Sequence, residues 1–155
     1  MPPRLLRAYR QTRYSAGGVV VRIGWRPPDA LFDQIGSREA VFVTAWNPRS
    51  RRMPLGWNAR MQRRLAERLR RFAVIPADGT LGHWHEVHLL VVTDVRRMLR
   101  LARIFRQLGV LRCAVGGRPG WCCGDRARLG QIEDSPCRPH RPTRFAQQSN
   151  ASSAR

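Results

Sequence analysis

Ala40-Val41-Phe42-Val43-Thr44-Ala45-Trp46-Asn47-Pro48 is the stretch on which the fold turns. Residues 40 to 46 read as a buried strand, and Asn47, preceding proline, is held out of the right-handed helical region, so the strand ends there. Its end is polar but uncharged. Thr44, Asn47 and, eleven residues further on, Asn58 each cost free energy when desolvated without partners. Either the fold or a small ligand must satisfy them, and the sequence leaves both readings open.

Working outward, residues 57 to 71 carry Met61, Leu65, Leu69 and Phe72 at helical spacing, with Arg60, Arg63, Arg64, Arg68 and Arg71 mostly off that stripe. Asn58 lies on the apolar stripe one turn before Met61. Residues 72 to 75 read as a short strand, Pro76-Ala77-Asp78-Gly79 as a turn, and residues 86 to 92 as a second apolar strand. Asp94 caps a helix that runs to about residue 105, with Val95, Met98, Leu99, Ala102 and Phe105 on one face. A last strand spans about 108 to 115. Upstream, residues 1 to 14 read as a short helix or irregular arm with Leu5, Leu6 and Tyr9 as an apolar stripe. Gly17-Gly18 then opens a strand over residues 19 to 23, and a connection from Trp25 to Glu39 holds one helical turn around 30 to 35. The order strand, helix, strand, strand, helix, strand predicts an α+β, ferredoxin-like split βαβ sandwich. Its two helices share one face of a mostly antiparallel sheet with central strands 40 to 46 and 86 to 92. One extra N-terminal strand precedes this unit, and the alternative architecture inserts it into the middle of the sheet.

With 155 residues and 43% hydrophobic content, the chain supports one core-bearing domain, read as residues 1 to 116. Residues 117 to 155 are rich in Arg, Pro, Gly and Ser and are expected to be a mostly disordered tail. No apolar run is long enough for a membrane span and the arginine-studded N-terminus lacks a secretory core, so the expected setting is the cytoplasm, with no membrane partner. The net charge of +19 arises from 29 basic residues, all arginine, against 10 acids. The absence of Lys reflects a GC-rich coding sequence; the excess charge itself attracts nucleic acid and other polyanions non-specifically. Cys113 reads as core, while Cys122, Cys123 and Cys137 read as exposed thiols of the tail.

The order Tyr9-x-x-Thr12-x-Tyr14, Thr44-Ala45-Trp46-Asn47-Pro48, Asn58, Trp84-x-Glu86 and Phe105-x-Gln107 resembles a bacterial family catalogued only as a domain of unknown function (number 3293). The resemblance covers roughly residues 5 to 117 and implies no activity. Two positions depart from the family pattern: Arg106 stands where the family has Gly, and Val87 where it has a second acidic residue beside Glu86.

The first candidate site is therefore a polar pocket of Thr44, Asn47 and Asn58 with Trp46 as a wall, since a helix start returns beside the strand end it follows. Its amides and hydroxyl suit neutral hydrogen bonds to a small ligand; the structural alternative is that Asn47 and Asn58 brace the loop 48 to 56. Trp84, Glu86 and Gln107 form a second candidate, expected at the opposite end of the sheet, with Glu86 as an ion-pair partner of one of the many arginines. His83, His85 and His88 invite a metal reading, but His88 would point away from the other two, so all three are expected as solvent-facing histidines of a strand edge. Arg60, Arg63, Arg64, Arg68 and Arg71 offer a polyanion contact.

Nothing in the sequence calls for a cofactor or a metal. There is no Gly-rich phosphate loop, nucleophile elbow, paired carboxylates or zinc-protease helix. Three classes stay open: a small-ligand-binding or accessory module, a non-specific nucleic-acid binder, and an enzyme, which requires Glu86 or a histidine within reach of the Asn pocket.

Overall fold

Val41, Phe42 and Val43 pair antiparallel with Val91, Leu90 and Leu89, so the two strands expected at the centre of the sheet are neighbours. In the computed structural model, which describes residues 2–36 and 39–123, they belong to β3 (Glu39–Val43) and β5 (Trp84–Val91). The remaining strands are β1 (Arg13–Ala16), β2 (Val19–Val21), β4 (Val74–Leu81), β6 (Gly109–Ala114) and β7 (Gly120–Cys123). All seven form one sheet in the order β2-β1-β4-β5-β3-β6-β7, antiparallel at every pairing. Four α-helices are described: α1 (Pro3–Gln11), α2 (Asp29–Ile35), α3 (Leu55–Leu69) and α4 (Val95–Ile104). The protein is thus α+β.

Alternation along β3 divides the core between the two faces of the sheet. Ala40 and Phe42 join Tyr14, Leu31, Leu90 and Leu111 on one face, with Tyr9 of α1 and Phe32 and Ile35 of α2 packed against them. Val41 and Val43 join Leu65 and Leu69 of α3 and Met98 and Ala102 of α4 on the other. The two expected helices share one face, with α1 and α2 on the opposite one. Asp94 caps α4 as its sequence suggests, accepting a hydrogen bond from the Arg97 amide.

At its C-terminus α4 ends in a Schellman motif: Arg106 N–H donates to Arg103 O and Gln107 N–H to Ala102 O, which requires the left-handed backbone seen at Arg106 (φ 56°). Glycine adopts this backbone without a Cβ penalty, so Arg106 stands at a position whose geometry favours Gly.

Three expectations are corrected, and the alternative placement of the extra strand is ruled out. The N-terminal region contributes two strands rather than one, because Gly17-Gly18, both at positive φ, form the two-residue turn of a β1–β2 hairpin. That hairpin extends the sheet beyond β4 and does not enter its middle. The segment 76 to 79 is not a turn: β4 continues through it, with Ala77, Asp78 and Gly79 paired on one side to β1 and on the other to β5, and the chain reverses at Gly82-His83. Pro76 is accommodated because β1 pairing stops at Ala77, leaving that side of β4 open.

Finally, order extends past residue 116. β7 pairs with β6, Cys122 is buried, and Trp121 stacks on Tyr9 with ring centroids 4.1 Å apart. Gly109 permits this approach, since a Cβ there would collide with the Cys122 carbonyl and the Trp121 indole nitrogen. Residues 124 to 155, including Cys137 and most of the expected tail, lie outside the described residues.

Candidate functional site

Antiparallel pairing decides where the site lies. β3 ends where β5 begins, and β6, antiparallel to β3, also begins there. Asn47, Glu86 and Gln107 therefore meet at one end of the sheet, and the expectation of two opposite ends is overturned. The Asn47 side-chain amide donates to Glu86 Oε1 at 2.9 Å, and Gln107 Nε2 donates to the Trp46 carbonyl at 2.7 Å.

Asn47 is the hinge of this arrangement. It is 5% exposed and adopts a left-handed backbone (φ 44°), which Asn tolerates better than most residues. Its backbone N–H donates to Asn58 Oδ1 at 3.0 Å; its Oδ1 accepts from Asn58 Nδ2 at 3.1 Å and from the Met53 amide at 2.9 Å. Asn58 Nδ2 also reaches the Met53 carbonyl at 3.3 Å. The two amides thus satisfy each other and tie down the loop between them, so Asn58, 1% exposed, serves as a brace. Thr44 is satisfied internally as well: its hydroxyl donates to the Val87 carbonyl and accepts from the Trp46 amide.

The braced loop makes a tight turn over Pro48–Ser50 in which Arg49 and Ser50 also have positive φ, and the Arg49 amide donates to the Arg106 carbonyl. Three left-handed non-glycine residues in four positions are held only because the surroundings over-determine them. The turn delivers the Ser50 hydroxyl to within 2.6 Å of the Tyr9 hydroxyl of α1.

Between α1 and the sheet lies a cavity of about 270 Å³. Its polar wall comprises Thr44, Asn47, Ser50, Glu86 and Gln107; aromatic walls come from Tyr9, Tyr14, Trp84 and Trp121. A second depression of about 230 Å³ lies on the other side of Asn47 and Trp84, which line both, and is bordered by Trp46, Asn58, Arg52 and His85. The sequence-derived set is therefore split: Thr44, Asn47, Trp84, Glu86 and Gln107 line the first, Trp46 and Asn58 only the second. The five arginines Arg60, Arg63, Arg64, Arg68 and Arg71 are exposed on α3 and at its C-terminal end, and line neither cavity.

Glu86 makes no salt bridge among the described residues, contrary to expectation; its partners are the Asn47 amide and the Trp84 side chain. Burial raises its pKa above the ordinary carboxylate value, opposed by the hydrogen bonds from Asn47 and Trp84 and by nearby His85. Burial likewise pushes the Tyr9 hydroxyl up to about 12. His88 is not solvent-facing. It lies edge-on to Tyr14, bonds the Glu86 carbonyl through Nδ1 at 3.0 Å, and is brought down to about 4 by burial, so it is neutral at physiological pH. No cluster of three metal-ligating side chains occurs among the described residues.

Sequence reasoning assigned Tyr9, Thr12 and Tyr14 no place in a site, although they were quoted in the motif order; all three line the main cavity. Ser50 and Trp121 carried no signal in the sequence, since their contribution depends on a turn and on a strand pairing. Trp121 brings an indole N–H that is buried without a hydrogen-bond partner in the protein.

No helix among the described residues is long and apolar enough to cross a membrane. No curated protein and no solved structure gives a match. Residues 43–110, which hold Thr44, Asn47, Asn58, Glu86 and Gln107, match the family model described as protein of unknown function (DUF3293), the family that the order of motifs resembles.

Proposed function

We propose that the protein is a small-ligand-binding module whose site is the cavity between α1 and the sheet. The observation that carries this reading is the position of Glu86. Its carboxyl borders a cavity of about 270 Å³ otherwise walled by aromatic, apolar and neutral polar groups, and Asn47 fixes its orientation. A concave, largely apolar pocket with a few oriented polar groups is the usual form of a small-molecule site.

The strand order β4-β5-β3-β6, with α3 and α4 over one face, supports reading this part of the chain as a ferredoxin-like unit extended by β1 and β2 at one edge and β7 at the other. We place the protein in the cytoplasm, a reading supported by Cys113 as a buried thiol outside any disulfide.

A titration of the full chain with a library of small aromatic compounds, followed by protein NMR, tests the proposal. Binders should shift the resonances of Tyr9 and Trp121, and Ala8→Phe, which fills the cavity from α1, should abolish the shifts. Binders that ignore Ala8→Phe, or a library without binders, would defeat it.

A proton-transferring enzyme is the second reading, favoured by the raised pKa of Glu86 within a cavity that also holds the Tyr9 hydroxyl. It predicts a turnover that Glu86→Gln abolishes, whereas a pure binding module shows none.

A further inference from the structure

The sign of the charge in the cavity is the reverse of that on the protein. The chain carries 29 arginines and a net charge of +19, yet among the described residues no arginine lines the cavity, and Glu86 is the one carboxylate on its wall. The other polar groups of the wall are largely engaged within the protein. Thr44 is bonded to the Val87 carbonyl, Gln107 to the Trp46 carbonyl, and Tyr9 and Ser50 to each other. Glu86 accepts from Asn47 at Oε1 and also takes a hydrogen bond from the Trp84 side chain. A carboxylate has room for about four hydrogen bonds, so Glu86 retains acceptor capacity on a wall it shares with the rings of Tyr9, Trp84 and Trp121.

A half-buried carboxylate beside aromatic faces complements a positively charged nitrogen: the carboxylate supplies a charge-assisted hydrogen bond and the rings supply cation–π attraction. An anionic ligand would meet Glu86 with like charge and find no cation among the described residues of the wall. The positive field of the surface opposes entry of a cation, but salt confines that field to about 8 Å at physiological ionic strength. The neutral imidazole of His88 adds no competing charge.

Resting on the ligand-binding reading above, we infer that the cavity selects small amines, with a protonated nitrogen on Glu86 and an apolar or aromatic body against Tyr9, Trp84 and Trp121.

Three probes of nearly equal size separate the possibilities when titrated into the full chain at pH 7.5–8 and followed by calorimetry and by the NMR signals of Tyr9 and Trp121: 2-phenylethylamine, 2-phenylethanol and phenylacetate. The amine should bind about tenfold more tightly than the alcohol, and phenylacetate most weakly. Glu86→Gln, which keeps an acceptor for Asn47, should remove the preference for the amine and leave the alcohol within about twofold. If the alcohol or phenylacetate binds the wild-type chain as tightly as the amine, or if Glu86→Gln leaves amine affinity intact, the amine assignment is wrong while the cavity reading stands. If none of the three perturbs Tyr9 or Trp121, both fail.

Discussion

Asn47 and Glu86, 39 positions apart, are joined by a single 2.9 Å hydrogen bond from the side-chain amide to the carboxyl. The bond couples a structural element to a chemical one. On one side Asn47 is locked by Asn58 and Met53; on the other it presents a nitrogen that orients the carboxyl at the cavity wall. Changes to the brace should therefore be felt in the cavity.

Asn58→Leu should cost about 2–3 kcal/mol, because it strips partners from the buried Asn47 amide and the Met53 carbonyl while supplying none. Urea denaturation measures this. An unchanged or raised midpoint would show that the amide pair does not brace the loop.

Replacing Arg106 with Gly should stabilise the protein by about 1 kcal/mol, since the Schellman position demands positive φ, which a side chain resists. A rise of a few degrees in melting temperature is expected. A fall would mean that contacts of the Arg106 side chain outweigh the backbone preference.

Two buried groups give opposite pH dependences. His88 has a pKa lowered from 6.5 to about 4 on folding, so the unfolded chain binds more protons in that window and stability falls as pH drops through it, by on the order of 3 kcal/mol in full. Glu86, raised on folding, binds its proton more readily when folded, so its contribution falls as pH rises above the ordinary carboxylate value. Denaturation of wild type and His88→Phe between pH 4 and 7 should show the first slope disappearing in the variant. Parallel curves would place the titration elsewhere.

Trp121→Ala should lower stability by about 2 kcal/mol and loosen α1, because the helix has no fully buried residue and Tyr9 is its main attachment. Hydrogen exchange of residues 5 to 11 reports the loosening. A chain ending at Gly117 should behave in the same way, contrary to what its composition suggests.

We expect weak, sequence-independent binding of DNA and RNA through the exposed arginines of α3, with affinity falling steeply as salt is raised. Exchanging Arg60, Arg63, Arg64, Arg68 and Arg71 for Ser should flatten the salt dependence, and Glu86→Gln should leave it unchanged. Tight binding that survives high salt would require a specific site.

The central strands and the two long helices were legible because each carries its own period: Met61, Leu65 and Leu69 on α3, and an unbroken apolar run in β3 and β5. Asn58 was legible for the same reason, as a polar residue on an apolar stripe. The hairpin at Gly17-Gly18 escaped because four residues, Arg13 to Ala16, are too few to show alternation beside a helical stripe. Glu86 was misplaced although the expected topology already held the answer, since antiparallel neighbours bring the start of one strand to the end of the other. β7 had no local signature: Gly120-Trp121-Cys122-Cys123 becomes a strand only when β6 offers it an edge.

The stack of Tyr9 on Trp121 joins the first described helix to the last described strand. A chain emerging from the ribosome makes α1 early and β7 late, so the aromatic wall cannot be completed until nearly all of the described chain has been synthesised. Until then the nascent protein carries a chamber that lacks one of its aromatic walls, and α1 lacks the ring on which Tyr9 stacks.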